Sequence, residues 1–70
     1  MVTLAQLKAH SDWQYLGQQD KVAYSLLIAG RYQDIIDRGL AINLEALFGD
    51  LLDSALESFD HYADSVGFEL

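Results

Sequence analysis

The sequence predicts an all-α fold, a small bundle of three to four helices forming one domain over residues 1–70. Three observations predict it. Apolar residues recur at three-and-four spacing, most clearly at Leu44, Leu47, Phe48, Leu51, Ala55, Leu56, Phe59, Tyr62 and Val66, which aligns side chains along one stripe of an α-helix. Helix-opening residues, Thr3 and Asn43, stand just ahead of such stretches, and Gly39 and Gly67 stand just after them. The chain contains no proline to break them.

The first helix is expected over residues 4–10. Thr3-Leu4-Ala5-Gln6 has the form of a capping box, in which a hydroxyl and an amide three residues on satisfy the free N–H groups of a helix start. Ser11-Asp12-Trp13-Gln14 repeats the pattern, but Gly17 soon interrupts it, so Asp12 to Leu16 reads as a single turn or short connector. Trp13, Tyr15 and Leu16 are expected to close the bottom of a core.

A second, long helix is expected over residues 19–38, ended by Gly39. Gly30 lies within it and weakens it by about 1 kcal/mol relative to alanine, leaving one helix, bent or continuous. Its apolar residues fall into two stripes. Val22, Leu26, Ala29, Ile36 and Leu40 form one, and Tyr24, Ile28, Tyr32 and Ile35 the other. A helix apolar on both sides needs two covers. The third helix supplies one, and a neighbouring subunit is the economical source of the other, which makes Tyr24, Ile28, Tyr32 and Ile35 the candidate subunit interface of a homo-oligomer. The competing possibility is that the first helix and Trp13 cover the second stripe. Leu40-Ala41-Ile42 then leads to Asn43, a good N-cap for a third helix over residues 44–66, in which Gly49 is a weak point and after which Phe68 folds back on the apolar face.

Composition narrows the function. Seventy residues bury only about 60% of the surface their unfolded chain exposes. With no cysteine there is neither a disulfide nor a thiolate metal site to reinforce the core, and a hydrophobic content of 51% is suited to burial against other chains. Met1 to His10 lacks the apolar centre of a signal peptide, and no run approaches the ~20 apolar residues that cross a bilayer. An intracellular protein with no membrane contact is expected.

The net charge of -7 is unevenly placed. In residues 1–42, Lys8, Lys21, Arg31 and Arg38 balance Asp12, Asp20, Asp34 and Asp37, so all seven excess acids lie in residues 43–70. Asp50, Asp53, Glu57, Asp60 and Asp64 follow at steps of three and four and form a row about 21 Å long at ~1.5 Å per residue. Such a chain does not bind nucleic acid through its phosphates, which requires a basic footprint. The row is a solvated face, a mimic of nucleic-acid phosphates for a basic groove, or a wall that repels DNA.

No catalytic, cofactor or metal residues are expected. Glu57, His61 and Asp64 share one helix surface, yet a metal there would need ligands from a second element. Ser54 and His61 stand two turns apart, roughly 10 Å, too far for nucleophile activation. Asp53-Ser54 lacks the glycine and spacer of a phosphopantetheine attachment site.

The opening Met1-Val2-Thr3-Leu4-Ala5-Gln6-Leu7-Lys8-Ala9-His10, followed by Asp20, Val22, Ala23, Leu26, Leu27, Ala29 and Gly30, resembles the small head-to-tail connector (adaptor) proteins of tailed bacteriophages. The resemblance covers residues 1–36. It implies a viral, helical protein of the host cytoplasm or virion that assembles into a ring on the portal, partnered by portal or tail proteins, with the acidic row facing the DNA channel. The leading expectation is therefore a non-enzymatic, self-associating structural protein of this kind. The alternative is a small acidic DNA mimic that blocks the basic nucleic-acid-binding surface of a host protein.

Overall fold

The computed structural model describes residues 2–42 and 48–68, with the backbone alone at 49 and 50. Among these residues there are four α-helices and no strand: α1 (Leu4–Ala9), α2 (Gln18–Ile28), α3 (Tyr32–Asp37) and α4 (Asp53–Ser65). Two 3-10 turns, Ser11–Tyr15 and Gly49–Leu52, precede α2 and α4. The chain is thus a small all-α bundle.

The capping box opens α1 as its residues dictate. The Thr3 hydroxyl accepts the Gln6 N–H at 3.2 Å, and the Thr3 N–H donates to Gln6 Oε1 at 2.8 Å. Leu7 is then the one α1 residue driven wholly inward. The next turn is capped differently from the expectation. His10, not Ser11, provides the cap, its Nδ1 accepting the Asp12 N–H at 3.1 Å while its ring meets the Phe48 ring edge-on at 5.0 Å.

The expected 19–38 helix is two helices. Gly30 adopts φ +73°, the left-handed region that a side chain disfavours, and the Arg31 N–H reaches back to the Leu26 carbonyl at 3.0 Å to close the end of α2. Gly39 and Gly67 end α3 and α4 by the same six-to-one closure, Leu40 N–H to Ile35 O and Phe68 N–H to Ala63 O. Arg31 then turns the chain, and α3 packs back on α2 and α4.

That turn overturns the two-stripe reading. Stripes drawn through a continuous helix lose their register at the break, and the side expected to face a neighbour is the side that faces the core. Ala23, Tyr24 and Leu27 of α2 and Ile35 of α3 are buried, at 2% exposure for Tyr24 and 0% for Ile35. Val22, Leu26 and Ile36 are half-buried, and Trp13 packs against the same core, so much of the covering comes from within the subunit. Tyr24 meets the Phe48 ring edge-on at 5.1 Å. Tyr24 and Ile35 are therefore core residues and leave the candidate subunit interface.

The last helix also begins later than expected. Asn43, its anticipated cap, and the stretch to Leu47 lie outside the described residues. Phe48 is buried, the 3-10 turn Gly49–Leu52 runs on from it, and α4 starts at Asp53 with no side-chain cap because the turn feeds into it directly. Leu56, Phe59 and Ala63 carry its buried stripe against the other helices.

Candidate functional site

α1, the end of α2, the start of α3 and the start of α4 meet around an open groove of about 690 Å³. Its apolar surface comes from Val2, Leu27, Ile28, Tyr32, Leu51 and Ala55. Gln6, Ser54 and Ser58 give it polar edges. Ala29 and Gly30 at the α2 turn and Ser54, Ala55 and Ser58 on α4 also line it, and a Cβ built on Gly30 would meet no atom within 4 Å.

The expected interface residues Ile28 and Tyr32 line this groove, half-buried, while Tyr24 and Ile35 do not reach the surface. Tyr32 is fixed by aromatic neighbours on α4, with its ring 6.0 Å from Phe59 and 5.5 Å from Tyr62. The Tyr62 hydroxyl donates to Gln33 Oε1 at 2.6 Å, and Gln33 Nε2 donates to Asp37 Oδ1 at 2.9 Å, so the α3–α4 contact continues as a polar chain to the surface. The remaining lining residues were not singled out from the sequence as a site. Their signal was the cluster of small residues at Ser54, Ala55 and Ser58, legible only once Gly30 is known to turn the chain beside them.

The carboxylate row stands on the same helix, on another side. Asp53, Glu57, Asp60 and Asp64 are all exposed along α4, covering about 16 Å at ~1.5 Å per residue. Asp50, the fifth residue of the expected row, lies outside the described side chains. At about 100° per residue, the row centres on the side of α4 nearly opposite Ala55, with the groove residues Ser54 and Ser58 at intermediate angles, so the carboxylates point away from the groove. Beside the row Asp53, Leu56, Glu57 and Asp60 surround a shallower depression. Among the described residues, the Lys and Arg ion pair is Arg31 Nε to Asp34 Oδ2, at 2.6 Å on α3. Among the described residues, no ion pair joins these four α4 carboxylates to a Lys or Arg.

Burial of Tyr24, reinforced by the Asp20 carboxylate, pushes its hydroxyl above the ordinary value of 10.0. Ser54 and His61 are both exposed on α4, a spacing of roughly 10 Å along the axis. Among the described residues no group of three His, Asp or Glu is placed to hold a metal ion. None of the helices there is long and apolar enough to cross a membrane.

No known family model matches the chain, and no curated protein or solved structure matches it.

Proposed function

We propose that this chain is a non-enzymatic interaction protein that works by docking another protein chain in the groove between α1, α2 and α4. The observation that carries the reading is the groove itself, an open apolar trough on a domain of 70 residues that has little apolar surface to spare. Its most concrete form is the one implied by residues 1–36, a phage head-to-tail connector of the virion, in which the docked chain is a neighbouring copy in a ring or a portal or tail protein. Ile28 and Tyr32, the surface-accessible members of the expected interface, support that form because both line the groove.

Sedimentation velocity with light scattering tests the self-associating form. The expected result is a mass of several copies, reduced to one copy by Ala55→Gln, which fills the groove without adding charge. A monomer at high protein concentration removes self-assembly, leaving a different chain as the docked partner.

A second reading is favoured by the exposed α4 carboxylates, none of which has a Lys or Arg partner among the described residues. It is an acidic inhibitor that occupies the basic nucleic-acid-binding surface of a host protein. In that case the chain displaces DNA from a basic DNA-binding protein, more weakly as salt rises, and substituting Asp53, Glu57, Asp60 and Asp64 by Asn or Gln abolishes the displacement while leaving self-association intact.

A further inference from the structure

We draw no further inference here: the strongest candidate, the apolar groove between α1, α2 and α4, belongs to the site already described, and nothing in the structure shows what covers it.

Discussion

Replacing Gly30 by alanine gives a prediction whose sign, and not merely its size, depends on the fold. If residues 18–38 formed one helix, Gly30 would be an interior glycine and alanine would stabilise the protein by about 0.8–1 kcal/mol. In the structure Gly30 has φ +73°, and a methyl group built on its Cα meets no atom within 4 Å, so sterics contribute nothing and the backbone decides. Forcing an L-residue into that left-handed conformation costs about 1–2 kcal/mol. Alanine also stiffens the unfolded chain, which offsets about 0.4–1 kcal/mol. The net expectation is a loss of about 1 kcal/mol, and for a domain of this size that lowers the Tm by about 4–8 °C. Urea unfolding followed by circular dichroism measures it, with an unchanged m-value showing that the transition stays two-state. Gly30→Asn should lose less, since asparagine tolerates the left-handed region. A higher Tm for the alanine variant, or equal losses for alanine and asparagine, would refute the α2–α3 break and with it the groove beside it.

Three further outcomes follow from the same contacts. The raised hydroxyl of Tyr24 means that between pH ~10 and its folded pKa the native state holds a proton the unfolded chain has released, so stability is full below that window and falls as pH rises through it; Tyr24→Phe should remove that part of the alkaline decline in thermal melts. Truncating Phe59, 0% exposed between α3 and the rest of the core, to alanine should cost about 3–5 kcal/mol and leave a chain largely unfolded at 37 °C by circular dichroism. Asp60 and Asp64 lie in the second half of α4, at the negative end of its dipole and on a face of like charges, so D60N/D64N should raise the Tm at low salt and reduce the gain in Tm that added salt gives the unaltered chain.

The sequence alone determined what local chemistry can determine. Helical class, the Thr3–Gln6 capping box, the terminators Gly39 and Gly67, and the exposed line of carboxylates from Asp53 to Asp64 all depend on neighbours within a few residues, and a 3.6-residue period is enough to read them. The fate of Gly30 was not of that kind. A glycine inside an apolar pattern is compatible with a weakened helix or with a turn, and only the packing of α3 against α2 and α4 selects the turn. Tyr24 and Ile35, expected at a subunit interface, belong to the core, and a face drawn along one straight helix through residues 19–38 has no meaning across the break. The groove is a tertiary object for the same reason. Ile28, Tyr32, Leu51 and Ala55 come from α2, α3, the 3-10 turn before α4 and α4 itself, so the cavity they share is encoded by no single segment.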